Sequence, residues 1–178
     1  MTMFREQLKK ANAELMTELK LKNVNALPKI LKVTLNAGLS RGLKDAKFTD
    51  AVESTLTRIT GQKPVKTKSK ASISNFKIRE GMVVGMMVTL RGRRMEAFLE
   101  KLVNITLPRV RDFQGLSLKS VDDRGNMSIG FKEMLAFPEV GSDEIENLHG
   151  LEVTMATNAE SKERGLALFK ALGFPFKK

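Results

Sequence analysis

Met82–Val–Val–Gly–Met–Met–Val–Thr–Leu–Arg91 alternates over its whole length. Met82, Val84, Met86, Val88 and Leu90 fall on one set of positions, and Val83, Gly85, Met87, Thr89 and Arg91 on the other. A period of two is that of a β-strand, and the polar end of the second set marks a face that meets solvent. Ile30–Leu–Lys–Val–Thr–Leu–Asn36 repeats the pattern, with Leu31, Val33 and Leu35 on one side and Lys32, Thr34 and Asn36 on the other. Pro64–Lys68 reads as a short extended run, and Leu151, Val153 and Met155 alternate with Glu152 and Thr154 in a final strand. Leu116–Val121 and Asn126–Phe131 flank the turn signal Asp122–Asp–Arg–Gly125, which predicts a hairpin.

Between these strands lie stripes of helical period. They are Phe4, Leu8, Ala11, Leu15 and Leu19; Phe48, Val52, Leu56 and Ile59, closed by Gly61; Met95, Phe98, Leu99, Leu102 and Val103, stopping near Pro108; and Ser161–Leu172, closed by Gly173. Gly141–Gly150 is an acidic loop or short helix. Half-polar strands with helices between them predict an α+β fold, an antiparallel sheet with helices packed on one face and the other face open. A chain of 178 residues, 42% hydrophobic, fits a single domain spanning 1–178.

Composition narrows the chemistry. The chain has no cysteine, which excludes disulfides and cysteine-based metal or cluster sites. Its longest apolar stretch is too short to cross a bilayer, and the first residues lack the apolar core of a secretory signal, so a cytoplasmic, membrane-free home is expected. The one histidine, His149, sits beside a turn and reads as a solvated loop residue, with Asp143, Glu144 and Glu146 as weak metal partners at most. No phosphate loop, dinucleotide fingerprint or nucleophile–base spacing is present, so the reading is a non-enzyme without catalytic residues, metal or cofactor.

Charge points to the partner. The formal net charge is +11, and ten of the 31 basic residues lie between Arg58 and Arg94, with Glu80 the one acid among them. A folded basic stretch of this kind is a footprint for phosphate. The pleat gathers Lys32, Thr34 and Asn36 with Thr89 and Arg91 on the open face, with Gln62, Lys66 and Lys68 beside it. The chain has no Tyr and no Trp, so this face lacks the aromatic platforms that stack unpaired bases. Recognition of an RNA surface by shape, phosphate and 2′-hydroxyl contacts is expected.

Lys68–Gly81 is a long basic loop with Phe76 at its centre, longer than a connection requires, and loops of this kind reach toward a ligand. Asp112 to Glu146 is rich in acids that repel phosphate, which suits solvent or a basic protein. Arg109–Val–Arg–Asp112 fits a salt-bridged helix end and a protein contact equally well.

Seven segments then occur in order: Pro28–Lys–Ile30, Leu35–Asn–Ala–Gly38, Ile59–Thr–Gly–Gln–Lys–Pro–Val65, Phe76–Lys–Ile–Arg–Glu–Gly81, Val88–Thr–Leu–Arg–Gly92, Leu107–Pro–Arg–Val–Arg–Asp–Phe113 and Gly125–Asn–Met–Ser–Ile–Gly130. Each alone is weak. The ordered set, from about Met1 to Phe176, closely resembles the universal large-subunit ribosomal protein five family, the 5S-rRNA-binding proteins of the central protuberance.

The resemblance implies a structural constituent of the large ribosomal subunit that binds 5S rRNA and helps attach it to 23S rRNA among the other central-protuberance proteins. It implies that Asn36, Gln62, Thr89 and Arg91 face 5S rRNA, with Lys32, Thr34, Lys66 and Lys68 around them. It implies that Ser69–Arg79, including Lys70, Ser72, Asn75, Phe76 and Lys77, reaches P-site tRNA. It also implies an intersubunit bridge to small-subunit ribosomal protein thirteen, to which Arg109, Arg111, Asp112, Asp143, Glu144 and Glu146 are assigned. Arg94–Met–Glu–Ala–Phe98 departs from many relatives, which carry a Tyr after the Met. A free RNA chaperone or translational regulator using the same basic face is the alternative, and would leave the ribosome in a salt wash.

Overall fold

The computed structural model describes residues 3–39, 45–141 and 148–177, with side chains from residue 8 onward. The elements run α1 (Met3–Glu18), β1 (Ile30–Gly38), α2 (Ala46–Thr60), β2 (Val65–Lys68), β3 (Val83–Leu90), α3 (Gly92–Lys101), β4 (Met127–Phe131), β5 (Leu151–Thr157) and α4 (Lys162–Ala171). The five strands form one antiparallel sheet in the order β2–β3–β1–β5–β4, and the fold is α+β as the alternation predicts. Packing divides the chain into two compact units.

One unit comprises Met1–Val33, Leu90–Ile129 and Thr154–Lys178. Here α1 packs against α3 and α4, with Ala11, Leu15, Phe98, Leu99, Leu168 and Phe169 buried. Of the first helical stripe, Phe4 lies outside the described side chains. The third stripe stops near its proline as expected, the helical run ending at Arg109, but it reaches Pro108 through an irregular turn. A single π turn, Leu102–Thr106, follows α3, and a last turn runs Leu107–Arg109. Pro108 has no N–H for the preceding turn and its ring crowds that turn's carbonyl. The wider π turn, in which the Leu107 N–H reaches the Leu102 carbonyl, admits it.

The expected hairpin is only half formed. β4 is a strand, but Leu116–Val121 is not. Ser117 caps the 3₁₀ turn Leu118–Ser120 by accepting from the Lys119 N–H, Leu116 bridges Phe176, and one bridge joins Val121 to Met127. Local capping of this kind competes with a sheet ladder. The turn itself is as predicted. Asp122 accepts from the backbone N–H of Asn126 at 2.7 Å and of Arg124 at 3.0 Å, and from the Asn126 side chain at 2.9 Å. Gly125, at φ +80°, lies so close to Gly165 that a Cβ on Gly165 would stand 2.5 Å from the Gly125 Cα.

The other unit comprises Thr34–Thr89 and Gly130–Val153. Phe48, Val52, Leu56 and Ile59 on α2, with Leu35, Ala37, Met86 and Val88 on the strands, are its core. Asp45 caps α2 by accepting from the Lys47 N–H, and Gly61 ends the helix in the left-handed conformation. His149 is not a solvated loop residue. It is 6% exposed, its ring edge-on to Phe48 at 6.4 Å between centroids. An imidazole presents an apolar rim that suits an aromatic neighbour, and Phe48 on α2 supplies one. Asp143, Glu144 and Glu146, weak metal partners for it at most, lie outside the described residues.

Candidate nucleic-acid interface

The pleat predicts the polar face of β1 correctly: Thr34 and Asn36 are half-buried, between fully buried Leu35 and Ala37. On β3, Met87 and Thr89 are half-buried and alternate with buried Met86, Val88 and Leu90. Antiparallel pairing with β2 then sorts the edge strand, because directly paired residues share a face. Val65 pairs with Met87 and Thr67 with Gly85, so both belong to the open face. Gly85 is glycine for lack of room: a Cβ there would meet the Thr67 Oγ1 at 3.0 Å and the Ala37 carbonyl at 3.1 Å. Lys66 pairs with Met86, which is buried, so Lys66 leaves β2 on the helix side.

Lys66 ends on α2. Its Nζ lies 2.9 Å from one carboxylate oxygen of Glu53, and Lys63 Nζ lies 3.4 Å from the other. The hydrogen bond from Lys66, added to the charge of both lysines, holds the Glu53 carboxyl below its ordinary range, and the same bond raises Lys66. Lys68 differs. The register shifts between Thr67 and Lys68, Lys68 comes opposite Val83, and it is exposed with no ion-pair partner among the described residues. The shift is a bulge that ends the regular alternation at the edge of the sheet.

Gln62 is held from both ends. Its backbone N–H donates to the Thr60 hydroxyl at 3.2 Å, and its side-chain Nε2 donates to the Thr89 carbonyl at 3.4 Å. Thus Gln62, Thr89, Thr34 and Asn36 belong to one compact unit, with Val65 and Thr67 on the same open face. Lys32, half-buried on β1, and Arg91, exposed at the N-cap of α3, belong to the other unit. The sequence reading missed Val65, which is 64% exposed, and Thr67; a register for β2 would have found both.

The long loop is ordered by its own hydrogen bonds. Ser69 N–H donates to the Met82 carbonyl at 2.8 Å and Gly81 N–H to the Ser69 carbonyl at 3.0 Å, closing its neck. Farther out, the Glu80 N–H donates to the Ser72 hydroxyl, and Ile73 and Ile78 exchange backbone hydrogen bonds at 2.9 and 3.2 Å. The tip, Ser74–Phe76, is a 3₁₀ turn, followed by Lys77 at φ +55°. Phe76 stands 67% exposed there, and Lys70, Asn75, Lys77 and Arg79 are exposed as well. A loop braced in this way presents a fixed shape to a partner.

Farther along the chain, Arg109, Arg111 and Asp112 are exposed. Among the described residues no ion pair joins Asp112 to either arginine, which removes the salt-bridged helix end. Asp112 takes a left-handed conformation, φ +51°.

Two family models match this chain. "Ribosomal protein L5" covers residues 23–79, and the model of the C-terminus of the same ribosomal family covers residues 83–176. The chain belongs to the ribosomal protein L5 family. It is 50% identical over 164 residues to "Large ribosomal subunit protein uL5" of Prochlorococcus marinus (strain MIT 9211), covering 92% of each chain. It is 50% identical over 169 residues to the uL5 of Francisella tularensis subsp. mediasiatica (strain FSC147), covering 95% of this chain and 94% of the relative. With "Large ribosomal subunit protein uL5c" of Paulinella chromatophora it shares 48% identity over 164 residues, 92% of each chain. Membership of this family makes the chain a structural ribosomal protein and not an enzyme. No helix among its described residues is long and apolar enough to cross a membrane.

Proposed function

We propose that this protein binds 5S rRNA through the open sheet face and helps attach that RNA to 23S rRNA in the large ribosomal subunit. One observation carries the reading. In a chain of the L5 family, Thr34, Asn36 and Thr89 stand half-buried on the polar side of strands whose other side is core. Residues so placed keep their hydrogen-bonding groups available while the backbone beneath them is fixed. Gln62 adds an anchored amide. Lys68, Lys32 and Arg91 supply phosphate contacts, and Val65 and Met87 supply apolar surface suited to ribose. Lys66 contributes less, because Glu53 already holds it.

The remaining contacts follow the same reading. The braced loop from Ser69 to Arg79 presents Phe76 to P-site tRNA. The exposed stretch Arg109–Asp112, together with Asp143, Glu144 and Glu146, meets a basic protein across the subunit interface, small-subunit protein thirteen. The whole chain, 1–178, acts as one RNA-binding domain, with the basic loop as its extension.

The test is the affinity of the purified chain for 5S rRNA, compared with an unrelated RNA of equal length. Wild type should prefer 5S rRNA. Asn36→Ala should weaken that binding by roughly 1–3 kcal/mol, the cost of leaving an RNA group unpaired, with thermal stability unmoved. Equal affinity for both RNAs, or a melting-temperature drop that accounts for the lost binding, would refute the assignment.

A further inference from the structure

Thr55, Thr57 and Thr60 on α2 each turn the hydroxyl back to the carbonyl four residues earlier, at 3.0, 2.7 and 2.7 Å. Such back-bonding is ordinary in helices and carries no message. Thr60 does something more. It is the last residue of α2 and only 7% exposed. Its Oγ1 also accepts the Gln62 N–H at 3.2 Å and lies 3.0 Å from the Gln62 carbonyl. A hydroxyl has one proton and two lone pairs. The proton goes to Leu56, at 2.7 Å, with the Gln62 carbonyl as its alternative acceptor, and a lone pair takes the Gln62 N–H. One buried oxygen therefore ties the end of the helix to the residue beyond Gly61, whose φ of +66° turns the chain. From that tie the Gln62 side chain reaches the Thr89 carbonyl on β3, 27 residues away in sequence.

We infer that Thr60 is a positioning residue of the RNA face: its buried hydroxyl sets where Gln62 holds its amide, without touching RNA. The inference rests on the 5S rRNA reading. The Gln62 side chain has three rotatable bonds and binds productively only if its origin is fixed, which is the work of a supporting shell. Nothing else about Thr60 requires a hydroxyl, since valine has the same branched shape.

Binding of 5S rRNA is measured for wild type, Thr60→Val, Thr60→Ser, Gln62→Ala and the Thr60→Val/Gln62→Ala double variant, with the melting temperature of each. Thr60→Val should bind roughly fivefold to tenfold more weakly, the loss of one hydrogen bond that orders the site. Thr60→Ser, which keeps the oxygen, should restore binding. The double variant should bind no more weakly than Gln62→Ala alone, because Thr60 acts through Gln62. Wild-type affinity in Thr60→Val, or losses that multiply in the double variant, would overturn the inference. So would a Thr60→Val chain that fails to fold while Gln62→Ala folds and binds weakly, since the hydroxyl would then serve the fold alone. A folded wild type that ignores 5S rRNA removes the underlying reading and the inference with it, and is seen before any variant is compared.

Discussion

Lys66 and Lys68 are two residues apart on the same edge strand, both lie in the basic stretch, and both are exposed. The structure separates their roles. Lys66 pairs with Met86 on the helix side and ends 2.9 Å from a Glu53 oxygen, so its charge is largely compensated. To reach a phosphate it must leave a carboxylate whose side chain is 20% exposed and which it shares with Lys63. Lys68 stands past the register shift without an ion-pair partner among the described residues. Each lysine that meets a phosphate releases about one counterion, and this sets the slope of log affinity against log salt. Replacing Lys68 by Met should therefore flatten the slope for 5S rRNA by about one ion equivalent. Replacing Lys66 by Met should flatten it by less, because Lys66 is held by Glu53 on the helix side and releases few counterions on binding. The assay is equilibrium binding to 5S rRNA at several salt concentrations, with a melting curve as the folding control. A slope unchanged in Lys68→Met but reduced by a full unit in Lys66→Met would refute the face assignment drawn from the β2–β3 register.

Three further outcomes are expected. Gly165→Ala puts a Cβ 2.5 Å from the Gly125 Cα and 2.7 Å from its carbonyl oxygen, and backbone on both sides cannot yield, so urea denaturation should show a loss of about 2–3 kcal/mol. Deleting Ser72–Lys77 removes the tip with Phe76 but no buried side chain, so 5S rRNA affinity should persist while P-site tRNA occupancy falls; lost 5S binding would move the loop into the rRNA site. Burial alone would raise the Asp122 carboxyl, but the hydrogen bonds from Asn126 and Arg124 outweigh it and hold it below its ordinary range. Its stabilisation of the turn is therefore present above the unfolded-state value and is lost as pH falls through the lower folded value. Asp122→Asn should remove that part of the acid sensitivity, and identical acid-unfolding curves would contradict it.

The strands β1 and β3 were legible because their middle residues alternate around a buried set, Val33, Leu35 and Ala37 on β1 and Met86, Val88 and Leu90 on β3, although Leu31 at the start of β1 is 46% exposed and Val84 on β3 is half-buried. Helix ends were legible where a glycine takes a left-handed turn, as at Gly61 and Gly173. What stayed hidden depends on strand register and long-range packing, or on a local hydrogen bond that competes with the expected element. A four-residue strand such as Val65–Lys68 carries too little pattern to fix its register, so the sides of Lys66 and Val65 emerge only from pairing with β3. Leu116–Val121 has the composition of a strand, yet Ser117 offers its backbone a local alternative. One histidine has no period, and the burial of His149 against Phe48 links residues about a hundred positions apart. Thr60 looks like any helical threonine until the path beyond Gly61 is known.

The central claim is that 5S rRNA lies against the open face of the sheet and not against α2. Two positions in one compact unit separate these choices: Val65, 64% exposed on the open face, and Ser54, exposed on the outer side of α2. A photoreactive group is placed at each in turn, the protein is assembled with 5S rRNA, and the crosslinks are mapped. Crosslinks to 5S rRNA from Val65 and none from Ser54 are the predicted result. Crosslinks from Ser54, with Val65 silent, would put the RNA on the wrong side of the sheet and contradict the account.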